Sequence, residues 1–312
     1  MNKKSYPKIS IITPVLNSRN TIEKSIKSLI EQQYQNLEFL VFDGKSTDGT
    51  VKIINKYKKY ITYFESKKDK GPNVIYNKGI DLASGDIIAF LNADDWYESN
   101  ILFDIAESYH KYPNADMFSC GFRLVEKQKD GYKSVYTLKK NQLNIDLATI
   151  IKSGPVTNGR FIKPQIYKKY GKLNCFDNRG NYLDTADKEF FFNLSLSKIN
   201  NIVINKIGYS SLKHDNSRTH NNNYHIKKTL YNQHIKLIDK FFTTTTLTKH
   251  QKKLFNDWKT LELTKLIILK FITLDLKQIL PLLSTLKNQN VFSISRSIKK
   301  ILQLSIKRIL PF

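Results

Sequence analysis

The chain has 312 residues, of which 40% are apolar and 25% are charged, and its formal net charge is +24. This composition excludes an intrinsically disordered protein and suits one large α/β domain with an appendage, or two modest domains. The positive charge favours an anionic partner: nucleic acid, an acidic membrane surface or an anionic small substrate. A lysine-rich genome is the alternative source of the same charge.

The two cysteines, Cys120 and Cys175, are far apart and have no histidine or cysteine at metal-binding spacing. We therefore expect neither a disulfide framework nor a zinc site, and a reducing cytosol fits. The N-terminus has no apolar signal core, and the apolar stretch 261–276 is broken by Lys265, Lys270 and Asp275. No apolar run reaches the roughly 18 residues of a membrane span, so a soluble or peripheral protein is predicted.

The first ninety residues alternate between predicted strands and predicted helices. Short apolar, β-branched runs predict strands at 9–12, 37–42, 61–64 and 87–91. Apolar residues at helical spacing predict helices near 22–30, 51–60 and 74–83. Such alternation indicates a parallel, doubly wound sheet with helices on both faces.

Polar clusters follow three of these strands, at 13–17, 43–50 and 92–95. Because ligands bind at the carboxyl ends of the strands in such sheets, we expect the three clusters to meet at one edge. Asp94 and Asp95 directly follow the buried strand 87–91, and two adjacent acids repel each other unless a cation is present. The pair predicts a Mg²⁺ or Mn²⁺ site with oxygen ligands, or else a solvated turn before the next helix.

The rest of the chain is less regular. A further strand is predicted at 117–122, loops at 154–158 and 174–182, and a helix beginning near Asp187. The polar segment 214–224 marks a boundary, after which the chain is basic and helical with a break near Pro281. We therefore place one domain at 1–215 and a second region at 216–312. The apolar positions within 294–309 suit a basic amphipathic helix lying on anionic lipid, or equally a helical cap on the first domain.

Three blocks together resemble glycosyltransferase family 2, whose catalytic domain has the GT-A fold. They are Ile9 to Asn17, Glu38 to Thr50, and Gly79 to Asp95 with its Ala83-Ser84-Gly85-Asp86 and Phe90-Leu91-Asn92-Ala93-Asp94-Asp95 segments. The linking residues 65–79 also look like members that build surface polysaccharides. The resemblance covers about the first hundred residues and implies a Rossmann-like, mostly parallel sheet flanked by helices, with a helical C-terminal extension.

The resemblance also implies roles for individual residues. Asp43 would accept a hydrogen bond from the base, consistent with uracil, and Asp94 would bind the metal. Asn92 replaces the first acid of the family's Asp-x-Asp motif, which blurs which carboxylate is the direct ligand. Asp95 would share the metal or face the ribose or donor sugar. The other residues implied to bind the nucleotide-sugar are Thr13, Pro14, Val15, Asn17, Lys70, Asn92 and Ala93.

The catalytic base is assigned to Asp187, which stands where the family has an acidic pair opening a helix, with Ala186 in place of the first acid. Asp184 and Glu189 are its rivals, and an Asp at a helix start also has a simple capping role. Asn158 lies where many relatives carry a histidine. The implied reaction is one in-line displacement that inverts the anomeric carbon, in which Asp187 deprotonates an acceptor hydroxyl and a metal-bound diphosphate leaves.

The expected enzyme is thus a metal-dependent inverting glycosyltransferase of surface-polysaccharide synthesis. Its partners would be a UDP-sugar, a saccharide or lipid-linked acceptor, and an anionic membrane at the C-terminal helices. Three alternatives compete with it. A non-catalytic relative would bind the nucleotide-sugar or act as a scaffold. A nucleic-acid-binding protein would need basic and aromatic residues interleaved on one surface, which the sequence lacks. A nucleotidyltransferase would need a glycine-rich phosphate loop, and residues 13–20 contain no glycine.

Overall fold

We describe a computed structural model of the chain, which covers residues 6–138, 142–152, 157–214 and 223–272. The chain divides into two compact units, Met1–His220 and Asn221–Phe312. The expected break at Pro281 and the basic amphipathic pattern at 294–309 lie outside the described residues. The boundary at 215 and the catalytic role of the first unit stay predictions.

The first unit contains one nine-stranded sheet with the order β3-β2-β1-β4-β8-β6-β9-β5, and β7 pairs with β6 beside this path. The strands are β1 Ile9–Val15, β2 Leu37–Asp43, β3 Tyr63–Ser66, β4 Ile87–Phe90, β5 Asp95–Tyr97, β6 Met117–Gln128, β7 Gly131–Leu138, β8 Arg160–Ile162 and β9 Asn201–Lys213. The first four strands are parallel to one another, and the later strands pair mostly antiparallel, apart from the parallel pair β6 and β9. The parallel half places the ends of β1, β2 and β4 at one edge, as the sequence predicts.

Helices cover both faces of this sheet. Those of the first unit are α1 Ile22–Ile30, α2 Thr50–Lys56, α3 Pro72–Leu82, α4 Ile101–Lys111, α5 Leu147–Lys152, α6 Pro164–Tyr170 and α7 Ala186–Ser195. The largest core cluster joins α1 and α4 to one face, where Ile26 and Ile105 pack with Ile11. Helix α3 lies on the other face, close enough that a Cβ on Gly79 would be 2.5 Å from Ile12.

The described residues of the second unit, 223–272, form a pair of helices, α8 Tyr224–Thr244 and α9 Lys249–Ile272. Glu262 of α9 is buried with 1% of its surface exposed, and it accepts hydrogen bonds from Trp258 and Lys265 and pairs with His234 of α8. A polar cluster therefore ties the two helices together inside an otherwise apolar contact. Among the described residues, none of the helices has the length and apolar character needed to cross a bilayer.

Candidate active site

The loops after β1 and β2 hold each other by hydrogen bonds at the carboxyl edge of the sheet. Val15 lies beside Asp43, and the Gly44 N–H donates to the Val15 carbonyl at 2.8 Å. Asn17 has a left-handed backbone (φ 47°), and its side-chain oxygen accepts from the Thr47 N–H at 2.9 Å. The two loops therefore form one rigid wall at the place predicted for the nucleoside.

Asp43 lies inside this wall and is only 1% exposed. Its carboxylate accepts from the Ser46 N–H at 3.2 Å and from the Ser66 hydroxyl at 2.6 Å. These donors fix its orientation, and a carboxylate can accept further hydrogen bonds at its remaining lone pairs. The predicted wall residues Thr13 and Pro14 precede Val15 on β1, where Thr13 is fully buried and Pro14 is half-buried.

Lys70 reaches the same region from the loop after β3. Its ammonium lies 5.4 Å from the centre of the Phe176 ring, and the residue is exposed. The preceding residue, Asp69, lies close to Gly44. A Cβ added to Gly44 would be 2.8 Å from the Asp69 carboxylate. The loop that carries Lys70 is thus adjacent to the loop that follows Asp43, and Lys70 is free to reach an anion at this edge.

Asn92, which stands in place of the first acid of the Asp-x-Asp motif, forms hydrogen bonds through both the oxygen and the nitrogen of its side-chain amide. Its oxygen accepts from the Tyr76 hydroxyl at 2.6 Å, and its nitrogen donates to Asp95 at 3.1 Å. An aspartate could accept from Tyr76 but could not donate to Asp95. The asparagine therefore connects helix α3 to the acidic pair, and Ala93 beside it is 95% buried (5% exposed).

Asp94 points into the accessible part of the site and contacts His214, which directly follows β9. The distance from His214 Nε2 to Asp94 Oδ2 is 2.8 Å, and the two side chains are 33% and 29% exposed. A carboxylate and an imidazole at this distance are two divalent-metal ligands already placed side by side. The sequence analysis missed His214, because 120 residues separate it from Asp94.

Asp95 is turned the other way, into the protein, and is 2% exposed. It accepts from the Tyr209 hydroxyl at 2.7 Å, the Leu212 N–H at 3.1 Å and the Asn92 amide. Burial, and then the charge of Asp94, raise the pKa of Asp95 to about 7, although the side-chain hydrogen bonds of Tyr209, Ser211 and Asn92 lower it. Asp95 thus anchors the end of β9, two residues before His214. Asn158, which lies where many relatives carry a histidine, donates from its side-chain nitrogen to the Asp95 carboxylate at 3.4 Å.

The base candidate Asp187 lies in the first turn of α7 and is half-buried. Burial raises the pKa of Asp187, while the Lys188 N–H, which donates to it at 2.7 Å, acts in the opposite direction. Of the rivals, Asp184 is half-buried and Glu189 is 8% exposed. The raised pKa makes Asp187 a stronger base than an ordinary aspartate, which suits proton transfer near neutral pH.

Two asparagines of α3 hold the segment that leads to Asp187. The Asn77 side chain donates to the Leu173 carbonyl at 2.7 Å and accepts from the Leu173 N–H at 2.9 Å. Asn73 donates to the Leu183 carbonyl at 3.1 Å. Segment 173–183 is therefore fixed at both ends by the helix that also carries Tyr76.

Tyr76 shows that the acidic residues meet. Burial raises the pKa of its hydroxyl well above the usual value, and the charges of Asp187, Asp95 and Asp94, in that order, raise it further. The hydroxyl thus stays protonated and lies within the field of all three carboxylates. Sequence reasoning did not select Tyr76, because a tyrosine within an amphipathic helix looks like an ordinary core residue.

A divalent cation fits these residues as a site completed by substrate. Among the described residues, no group of three or more His, Cys, Asp or Glu side chains forms a metal site by itself. Mg²⁺ is usually bound by one or two carboxylates together with substrate phosphates and water. Asp94 and His214 could hold such a cation together with oxygens of the substrate.

The sequence model of Glycosyl transferase family 2 matches residues 10–171, more than half of the chain. The chain belongs to this family. Over 126 residues it is 40% identical to the GalNAc(5)-diNAcBac-PP-undecaprenol beta-1,3-glucosyltransferase of Campylobacter jejuni, covering 39% of this chain and 40% of the relative. Over 101 residues it is 35% identical to the putative teichuronic acid biosynthesis glycosyltransferase TuaG of Bacillus subtilis, covering 31% and 39%. The alignments span 40% to 61% of the first three curated relatives.

Two solved structures have the same architecture. S. aureus TarS 1-349 in complex with UDP-GlcNAc superposes with a TM-score of 0.54 at 16% identity, covering 84% of this chain and 83% of that one. Mannosyltransferase PcManGT from Pyrobaculum calidifontis, in complex with GDP-Man and Mn²⁺, gives 0.58 at 15% identity, covering 97% and 81%. At these identities the likeness shows the fold alone, and it confirms the predicted GT-A class with a helical C-terminal region.

Proposed function

We propose that this member of the family is an inverting, metal-dependent glycosyltransferase that transfers a sugar from a UDP-sugar to a saccharide or lipid-linked saccharide in bacterial surface-polysaccharide synthesis. The observation that carries the proposal is that the charges of Asp187, Asp95 and Asp94 all act on the buried Tyr76 hydroxyl, which places Asp187 in the same region as the acidic pair after β4. Acidic residues from two separate segments serve no evident packing need in one region of the protein. They suit a reaction that needs both a cation and a base.

The donor would lie along the wall formed after β1 and β2. Asp43 is buried, held by Ser46 and Ser66, and acidic, so it suits an N–H of a nucleobase such as N3–H of uracil. Thr13, Pro14, Val15 and Asn17 would line the nucleoside, and Lys70 would meet the diphosphate. The TarS complex supports a UDP-sugar on this fold, while the PcManGT complex holds GDP-Man, so the base must be tested directly.

A cation held by Asp94 and His214, Mn²⁺ or Mg²⁺, would supply positive charge to the leaving diphosphate. Asp95, with Asn92, would hold the end of β9 so that both ligands face the cleft. Asp187 would take the proton from the acceptor hydroxyl, whose oxygen then attacks the anomeric carbon from the side opposite the nucleotide. A single displacement of this kind inverts the configuration at that carbon.

The acceptor assignment rests on the relatives and on charge. The name of the Campylobacter jejuni relative, a glucosyltransferase, includes a saccharide linked to undecaprenol through PP. The Bacillus subtilis relative is named as a putative glycosyltransferase of teichuronic acid biosynthesis. The second unit, residues 221–312, carries 17 Lys or Arg against four acids, which favours an anionic membrane surface. We therefore place the protein on the cytoplasmic side, at the periphery of the cell membrane, with no nucleic acid as partner.

The test uses Asp94→Asn and Asp187→Asn, with Asp104→Asn as the matched control, since Asp104 is a surface acid paired with Lys206. Thermal shift with UDP or GDP, with and without MnCl₂, measures donor binding, and release of sugar from UDP-sugars measures turnover.

We expect Asp94→Asn to abolish the effect of Mn²⁺, and Asp187→Asn to keep UDP binding while losing turnover. Tighter binding of GDP than of UDP would refute the donor class. Metal-independent turnover would refute the cation site, and UDP binding without turnover by the native chain would indicate a non-catalytic relative.

A further inference from the structure

Eight lysines with exposed side chains lie together at the β3 edge of the sheet. This edge is formed by the loop after β2, helix α2, the 3₁₀ turn Lys58–Tyr60, strand β3 and the loop after it. We call these lysines the basic edge: Lys45, Lys52, Lys56, Lys58, Lys59, Lys67, Lys68 and Lys70. Because β3 is the last strand on this side, the lysines face outward.

The acids of the same stretch are engaged elsewhere. Asp48 accepts from the Arg19 N–H and from Thr50, Asp69 accepts from the Gly71 N–H, and Glu65 pairs with Lys78 on α3. Within the described part of the chain, no ion pair is formed by a lysine of the basic edge. The eight lysines therefore outnumber the acids beside them, Asp48 and Asp69, and leave the edge with a net positive charge, although Lys56 also acts on Glu23 of α1.

A lysine-rich composition alone does not produce this pattern. Residues 81–110, which include β4, β5 and α4, contain seven acids and no Lys or Arg. Three of these acids pair with basic residues from elsewhere in the first unit, Asp81 with Lys172, Glu98 with Arg123 and Asp104 with Lys206, whereas the described ion pairs include no lysine of the basic edge. Like charges held close together repel one another and cost stability, so their accumulation at one edge favours a role in binding an anionic partner.

We propose that the basic edge docks on an anionic lipid surface. The lysines lie on the outside of a short helix, a turn and an edge strand, and a projecting surface suits a flat bilayer better than it suits a single polymer chain. Tyr60 is 44% exposed among them, with Lys59 4.8 Å from its ring centre, and tyrosines of this kind favour the headgroup region. Lys45 and Lys70 flank the proposed donor site, so docking would hold the cleft beside the lipid. Only this last point rests on the proposed function.

The test compares two variants of the full chain with equal net charge. One is Lys52→Gln, Lys56→Gln, Lys58→Gln, Lys59→Gln, which leaves the proposed donor residues unchanged. The matched control replaces four exposed lysines elsewhere in the first unit: Lys111→Gln, Lys168→Gln, Lys169→Gln, Lys198→Gln. Binding is measured by co-sedimentation with phosphatidylcholine vesicles that contain about 30 mol% phosphatidylglycerol, and with phosphatidylcholine alone.

We expect the basic-edge variant to lose about 25-fold to about 600-fold in partitioning onto the anionic vesicles, since each lysine near such a surface contributes roughly fivefold and two to four of the replaced lysines would lie near it. The control should lose less than about threefold, and neither protein should bind neutral vesicles. Equal losses in both variants, or none in either, would overturn the proposal. A loss of binding to soluble polyphosphate with vesicle binding unchanged would overturn it in favour of a polyanion. UDP binding measured on the same samples is expected to be unchanged, and its absence in the native chain would count against the proposed function alone.

Discussion

Removal of the Tyr76 hydroxyl tests whether the site is held together as the structure indicates. Tyr76→Phe deletes the hydrogen bond of 2.6 Å to the Asn92 oxygen, in a side chain that is 5% exposed. The Asn92 oxygen then loses a buried donor, which costs about 1–3 kcal/mol of unfolding free energy. For a domain of this size that lowers the melting temperature by about 2–4 °C per kcal/mol.

The larger effect is expected on metal binding. Asn92 also donates to Asp95, and Asp95 holds the backbone at Leu212, two residues before His214. Residues that orient metal ligands from behind typically change metal affinity about 10–100-fold when mutated. We therefore expect Tyr76→Phe to weaken Mn²⁺ binding by that factor, measured by calorimetric or spin-resonance titration of Mn²⁺ in the presence of UDP.

Tyr167→Phe is the matched control. Tyr167 is also 5% exposed, but its buried hydroxyl has no hydrogen-bond partner among the described residues. Its removal should leave Mn²⁺ affinity unchanged and raise stability by about 1 kcal/mol, because an unsatisfied buried hydroxyl is destabilising. Equal Mn²⁺ affinities in the two variants would show that Tyr76 only packs, and the argument for a connected site would fail.

Two further predictions concern pH. Because Asp187 acts when deprotonated and burial raises its pKa, kcat/KM should fall with decreasing pH from above the usual aspartate pKa; a flat profile down to about pH 4 would point to another base. Burial alone would raise the pKa of Glu262, but the hydrogen bond and charge of His234, with Lys265, outweigh it and lower the pKa to about 2. Stability from this carboxylate is present above the ordinary pKa of 4.5 and is lost as pH falls towards 2, so Glu262→Gln should cost roughly 3 kcal/mol at neutral pH. The cost should shrink in acid, and denaturation at pH 7 and pH 3 measures it; the same cost at both values would contradict an ionised Glu262.

The parallel half of the fold follows closely from local sequence. Apolar runs at 37–42 and 87–91 predicted strands that the structure places at Leu37–Asp43 and Ile87–Phe90, and α1 spans the predicted residues. The helix predicted at 51–60 is shorter, since Tyr57 leaves helical geometry (φ −107°, ψ 11°) and a 3₁₀ turn follows α2. Local apolar periodicity cannot distinguish an α-helical end from a 3₁₀ turn, because both expose similar faces.

The second half depends on pairings that no local pattern reveals. Strand β6 was expected to end at 122 but continues to Gln128, because it pairs with β7 in a hairpin and with β9 from far along the chain. The same long-range pairing delivers His214 to Asp94. Asp43 and Asp94 carry a strong signal in sequence because they lie at the ends of strands, whereas Asp187 opens a helix and was assigned from the family resemblance. The roles of Tyr76 and His214 cannot be predicted from the sequence, because their partners Asn92 and Asp94 come close only in the folded chain.

The attachment of segment 173–183 to helix α3 also bears on how such enzymes diverge. Asn77 holds the backbone of Leu173 and also donates to Cys175 Sγ at 3.3 Å. Asn73 holds the backbone carbonyl of Leu183 and the Tyr182 hydroxyl. These contacts leave out the side chains of residues 176–181, so replacements there are compatible with the same anchorage. Under the proposed function, preferences for the acceptor can therefore change at residues 176–181 while the two ends of the segment that leads to Asp187 stay attached to α3.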